Sequence, residues 1–169
     1  MRRHGTYPRK TPPGTRIARW YCRQAHQTFS LLPECLAAGV SGTLAAVEAV
    51  VRSVEHAPSL ESAADALRPE VELPGAVRWT RRRVRRVTAT LTALRGLMPE
   101  RFESCPATVH AFGARLGVES VLVTLREVAS DYLHQLPTPL GFSRRSLGRG
   151  EPSSKPQHST GPDPPRPPR

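Results

Sequence analysis

Hydrophobic and polar positions change period near residue 33. Residues 15–21 alternate imperfectly around Ile17, Trp20 and Tyr21, and residues 27–32 resume with Phe29, Leu31 and Leu32. That pattern predicts two short strands joined by a tight connection, with Pro8, Pro12, Pro13 and Gly14 marking turns upstream. From Pro33 the period becomes helical, opening at residues 36–38. Residues 41–56 carry Leu44, Val47, Val50, Val51 and Val54 at spacings of three and four, the mark of one apolar helix face. Ser59 reads as the N-cap of a helix over Leu60–Leu67, and Glu61 favours its first turn. After Pro69 and Pro74 a long helix is expected over residues 75–97, with Val77, Val84, Val87, Leu91, Leu94 and Met98 along its buried stripe and Pro99 ending it. Residues 107–116 and 119–136 predict two more helices. The first stops at Gly117, and the second carries Val121, Leu122, Leu125, Val128, Tyr132 and Leu133 on one face.

These elements predict a mainly α fold. A small β-hairpin module spans residues 1–35, a helix-turn-helix-like helical region spans 36–100, a helical hairpin spans 101–140, and a tail spans 141–169. Residues 151–169 are dominated by Pro, Ser, Gly and charge without a large apolar side chain, so the tail is expected to be disordered. A sheet as small as the N-terminal one needs support from outside itself.

Charge sharpens the picture. The 169 residues carry 25 Lys and Arg against 14 Asp and Glu, a formal charge of +11. Residues 1–30 hold seven basic side chains and no acid, residues 31–77 hold two basic and seven acidic, and residues 78–101 hold eight basic and one acidic. Interspersed signs would serve solubility, whereas two basic blocks around an acidic one predict two contact surfaces for an anionic partner. No apolar run approaches the roughly 20 residues a membrane span requires. The opening Met1-Arg2-Arg3-His4-Gly5 has no apolar stretch of a signal peptide, and the three cysteines, Cys22, Cys35 and Cys105, make an odd count. A cytoplasmic protein without a disulfide framework or a membrane partner is expected.

The densest basic run is Arg78, Arg81, Arg82, Arg83, Arg85 and Arg86, interleaved with Trp79 and Val84. If Val84 marks the buried face, Arg82 and Arg86 stand nearly opposite and the others flank them. Arg78, Arg82 and Arg86 fall at successive i,i+4 spacings, where like charges repel by roughly 0.2–0.5 kcal/mol per pair. Phosphates would relieve that repulsion, since each neutralised phosphate releases condensed counterions and Arg grips phosphate bidentately. Three successive helices with the basic face on the last have the order of a helix-turn-helix, although the link over residues 68–74 exceeds the usual turn of about 3–4 residues. The competing readings are a solvated face paired with acids of residues 31–77, and a protein-interaction module whose arginine helix docks on an acidic partner or on the acidic block of a second copy in a homodimer. Trp79 lies off the apolar stripe, where it either packs on the N-terminal module or stacks on nucleic acid.

At the N-terminus, Cys22 and His26 sit on a turn between strands, where a thiolate and an imidazole can take two of the four tetrahedral positions of zinc. Two ligands do not complete a site, and such a pair also arises by coincidence. The run from Arg3-His4-Gly5 through Arg19-Trp20-Tyr21-Cys22, His26 and Thr28-Phe29-Ser30-Leu31-Leu32-Pro33 resembles the second half of the zinc ribbon that opens many bacterial insertion-sequence transposases. The likeness covers roughly residues 3–35 and continues more loosely to residue 98, where that family has a helix-turn-helix. It implies DNA binding and makes Cys22 and His26 a second ligand pair for zinc. The family's first pair, a CxxC before the Arg-His-Gly run, has no counterpart in this sequence, so the resemblance implies either a start placed too far downstream or a shortened ribbon that cannot hold zinc tightly, with a non-functional remnant as a further reading. His4 and Cys35 are substitute ligands to weigh, against an ordinary buried thiol for Cys35.

No motif predicts catalysis. Asp65, Asp131 and Asp163 are placed like helix-surface and tail residues and do not resemble a metal-binding carboxylate set, while no glycine-rich phosphate loop or nucleophile elbow is present. The sequence therefore predicts a non-catalytic DNA-binding protein with no small-molecule substrate.

Overall fold

A computed structural model describes residues 1–142. The expected tail lies outside these residues, apart from Gly141 and Phe142. Three strands, β1 (Arg2–Pro8), β2 (Arg16–Cys22) and β3 (Gln27–Leu31), form an antiparallel meander in the order β1-β2-β3. β2 and β3 match the alternating segments, with Trp20 opposite Phe29 and Ala18 opposite Leu31. β1 lies in the stretch where the sequence predicts turns and no strand. Its side chains are almost all exposed, so it carries no alternation to reveal it, and it is a strand because its backbone pairs with β2 from Arg2↔Tyr21 to Pro8↔Arg16.

The sheet has little core of its own; Ile17 is its one fully covered large side chain. What fastens the chain just after β1 to the helices is polar. Arg9 donates from one guanidinium nitrogen to the carbonyls of Ala37, Val40 and Gly42.

The helix expected to open at residues 36–38 does not form there. Leu36, Ala37 and Ala38 are buried, but Leu36 makes an antiparallel bridge to Thr43, and Gly39 and Gly42 adopt φ of 61° and 103°. Left-handed glycines break a helix and let the segment fold into a compact loop. α1 (Leu44–His56) then starts on Thr43, whose hydroxyl accepts from the Ala46 N–H. α2 (Leu60–Leu67) starts as expected on Ser59, whose hydroxyl accepts from the Ser62 N–H.

α3 (Leu73–Leu97) runs 25 residues and begins two residues before the expected start. Pro74 falls in its first turn, where a missing N–H costs nothing, so this proline opens the helix and does not delimit it. α1, α2 and α3 pack mutually. Short α4 (Pro99–Phe102) and α5 (Val109–Leu116) follow, and α5 ends on left-handed Gly117, at φ 67°.

The helix expected over residues 119–136 is half that length. α6 (Val121–Val128) gives way to a single 3-10 turn at Ser130–Tyr132. The chain then folds back on itself, with Phe142 N–H donating to the Leu133 carbonyl and Gly141 N–H to that of Pro137. Apolar Tyr132 and Leu133 thus continue the helical spacing while belonging to a different element.

One apolar core joins residues from Ala37 in the loop to Leu140 near the C-terminal end of the described chain, through α1, α3, α5 and α6. Phe102 and Phe112 stack at its centre with ring centroids 4.8 Å apart. The 36–100 and 101–140 segments therefore share their interior.

Candidate nucleic-acid interface

α3 is buried along Ala76, Thr80, Arg83, Val87, Leu91 and Leu94. With about 100° per residue, Arg78, Arg81, Arg82 and Arg85 fall within an arc of about 100° on the opposite side. All four are exposed, and none makes a hydrogen bond or ion pair with another side chain among the described residues. From Arg78 to Arg85 the stripe is about 10 Å long at about 1.5 Å rise per residue. Val84, taken as the marker of the buried face, is only partly covered and lies at its edge.

The structure divides the six sequence-predicted arginines into two groups. Arg83, expected on the flank of the interface, is buried at 8% exposure; it donates to Ser41 Oγ at 3.0 Å and lies 3.6 Å from the Trp79 ring centroid. Arg86, expected to face solvent, is partly covered and donates to the Gly39 carbonyl. Both corrections have one cause. The 39–41 loop lies against the side of α3 that carries residues 79, 83 and 86, and its Ser41 hydroxyl and Gly39 carbonyl take donors from Arg83 and Arg86. Trp79 packs against arginines of its own neighbourhood, Arg83 and Arg68, the latter 5.1 Å from the ring. That placement replaces the expected packing on the N-terminal module.

Burial is the largest influence on Arg83, followed by the like charges of Arg68, Arg86 and Arg82, and together they pull its pKa down to about 10. The local field is strongly positive.

The acids of residues 31–77 do not neutralise α3. Glu48, 4% exposed, accepts from the Val121 N–H at 3.1 Å and the Leu122 N–H at 2.8 Å, and also from Arg52 Nε at 3.0 Å. Two turns along the same helix, Glu55 accepts from the Val109 N–H at 2.7 Å and the His110 N–H at 2.9 Å. Two carboxylates of α1 thus cap α6 and α5, satisfying amides that a helix start leaves open. The ion pairs among the described residues are Glu48–Arg52 and Arg68–Glu70. Neither involves α3.

Sequence reasoning missed two further functional arginines of the scaffold, Arg9 and Arg126. Arg126 is buried in α6 and donates to the carbonyls of Glu34, Leu36, Pro139 and Leu140 at 2.6–3.2 Å. Desolvation lowers its pKa, partly opposed by Cys35 and Glu34. A signal existed: Arg126 falls four residues after Leu122 and next to Leu125, inside the apolar stripe. With Arg9, Arg83 and Arg86 it clamps residues 34–42, so four guanidiniums hold one loop by its oxygens.

Cys22 closes β2 and His26 lies in the β2–β3 turn at φ 49°. His26 Nδ1 is 3.2 Å from the Tyr21 hydroxyl. No group of three or more His, Cys, Asp or Glu side chains that could hold a metal ion gathers among the described residues, and Cys22 and His26 are two of the four ligands that a ribbon site uses. His4 packs near the Tyr21 ring, and Cys35 is exposed, which corrects its reading as a buried thiol; Cys105 is the buried one. No helix among the described residues is long and apolar enough to cross a membrane.

No protein-family model matches the chain, and comparisons with curated proteins and with solved structures give no significant match.

Proposed function

We propose that this chain is a non-catalytic DNA-binding protein that holds backbone phosphates with Arg78, Arg81, Arg82 and Arg85. The observation that carries this reading is a four-guanidinium stripe on the outward side of a long, well-anchored helix, with no ion pair to any of the four among the described residues. Uncompensated like charges at i,i+3 and i,i+4 spacing are relieved by external anions, and arginine matches phosphate oxygens in pairs. The helix rests on a core running its length, so the stripe is rigid before it meets a ligand. Little ordering of backbone is then required on binding.

Fluorescence anisotropy with a labelled duplex tests this reading. Arg78→Ala combined with Arg85→Ala is expected to weaken binding about a hundredfold or more, since each of the two charge-assisted contacts contributes about 1.5–3 kcal/mol. Displacement of the duplex by polyglutamate at equal charge concentration, with no preference for nucleic acid, would instead favour an acidic protein partner.

A further inference from the structure

Beside the outward stripe, a cavity of about 200 Å³ opens between α3 and the loop that precedes α1. Its helix side is Trp79, Arg82, Arg83 and Arg86, and its loop side is the 39–41 backbone with the Ser41 side chain. Pockets that enclose drug-sized ligands run about 300–1,000 Å³, so this one suits a small group.

Its polar inventory is one-sided. A guanidinium has five N–H donors. Arg83 uses them on Ser41 Oγ and, at 3.4 Å, on the Trp79 carbonyl; Arg86 uses one nitrogen on the Gly39 carbonyl; Arg82 makes no hydrogen bond among the described residues. Ser41 Oγ accepts from Arg83, which leaves its own O–H to donate. The backbone N–H groups of Gly39, Val40 and Ser41 have no hydrogen-bond acceptor among the described residues. Three arginines and a hydroxyl therefore border one small space with no carboxylate in its lining.

We propose that this cavity is a binding site for a single phosphoryl group, carried at the end of a nucleic-acid strand or by a free phosphate monoester, and held by Arg82, Arg83, Arg86 and the Ser41 hydroxyl. The site goes beyond the duplex contact proposed above, because phosphodiesters along an intact duplex are met by the outward stripe, whereas a cavity of this size admits a terminal group. Arg82 stands at the border of both. Burial among like charges disfavours the Arg83 cation, and a dianion in the cavity reverses that penalty. Ser41 gains a second role, positioning Arg83 through its oxygen while donating its proton to the ligand.

Titration of the full chain with inorganic phosphate by calorimetry, at low chloride and near neutral pH, tests the site. One saturable site is expected. Arg82→Ala should weaken it about tenfold, the loss of one charge-assisted contact, and Ser41→Ala should weaken it severalfold. Arg23→Ala, which removes an equal charge from the exposed β2–β3 turn, should leave it unchanged. Absence of saturable binding, or equal weakening by Arg23→Ala and Arg82→Ala, overturns the proposal. With binding established, a short oligonucleotide bearing a 5′-phosphate that binds about tenfold tighter than its 5′-hydroxyl counterpart identifies a strand end as the source; equal binding of the two oligonucleotides identifies a free monoester. Duplex affinity of the Arg78→Ala, Arg85→Ala variant reports separately on the outward stripe, so either reading can fail alone.

Discussion

Replacing Glu48 by alanine should destabilise the fold more than any other single carboxylate substitution among the described residues. The side chain is buried, and its two oxygens take the Val121 and Leu122 amides that begin α6 as well as the Arg52 guanidinium. A buried donor left without a partner costs about 1–3 kcal/mol, and the loss of a negative charge at a helix start adds about 0.3–1 kcal/mol. Arg52 retains its bond to the Glu119 carbonyl and partial access to water, so its loss of an ion partner adds little. A total of about 3 kcal/mol follows for Glu48→Ala, and about half of that for Glu48→Gln, which keeps one acceptor oxygen. Glu55 makes the same kind of contact to α5 from an exposed position, where water can replace it, so Glu55→Ala should cost about 1 kcal/mol. Urea unfolding followed by circular dichroism, with unchanged dependence on denaturant, measures all three. A cost below about 1 kcal/mol for Glu48→Ala, or a larger cost for Glu55→Ala, would refute the reasoning.

Other outcomes follow from the same contacts. Arg126→Met should destabilise by about 3 kcal/mol or more in the same urea experiment, because it strands the carbonyls of Glu34, Leu36 and Leu140, while that of Pro139 keeps the Ala38 N–H. Gly39→Ala should destabilise measurably in thermal unfolding, since Gly39 has φ 61° and an added methyl group would approach the Thr138 methyl to 2.8 Å. Burial raises the Cys105 thiol pKa above its ordinary value, with Arg115 and Arg95 opposing the shift, so thiol titration with a disulfide reagent should modify exposed Cys35 well before Cys105, and Cys105 should gain reactivity only at more alkaline pH.

The helical half of the fold was legible because its signals are local. Ser59 as a cap, Gly117 as a stop and the three-and-four spacing of Leu44, Val47 and Val51 each act within a turn or two, and each stands where the pattern placed it. What the pattern concealed depends on more distant partners. β1 exists through pairing with β2, residues 36–43 fold as a loop because Gly39 and Gly42 take left-handed conformations, and beyond α6 the chain turns back on itself, with the Phe142 N–H on the Leu133 carbonyl. Within the arginine run the sequence set out the helix, yet it could not separate arginines facing outward from those gripping the loop. Arg82 and Arg83 differ by one position and by opposite surroundings, and only the loop's placement decides between them.

DNA binding through α3 requires its four outward guanidiniums to meet phosphates. Its most direct test is the slope of log affinity for duplex DNA against log salt, for the unaltered chain and for the variant with alanine at positions 78, 81, 82 and 85. Each lost phosphate contact lowers the magnitude of the slope by about 0.9, so a reduction of about 3–4 is expected when all four are removed. A variant that keeps the original slope and affinity would show that DNA, if bound at all, is held elsewhere.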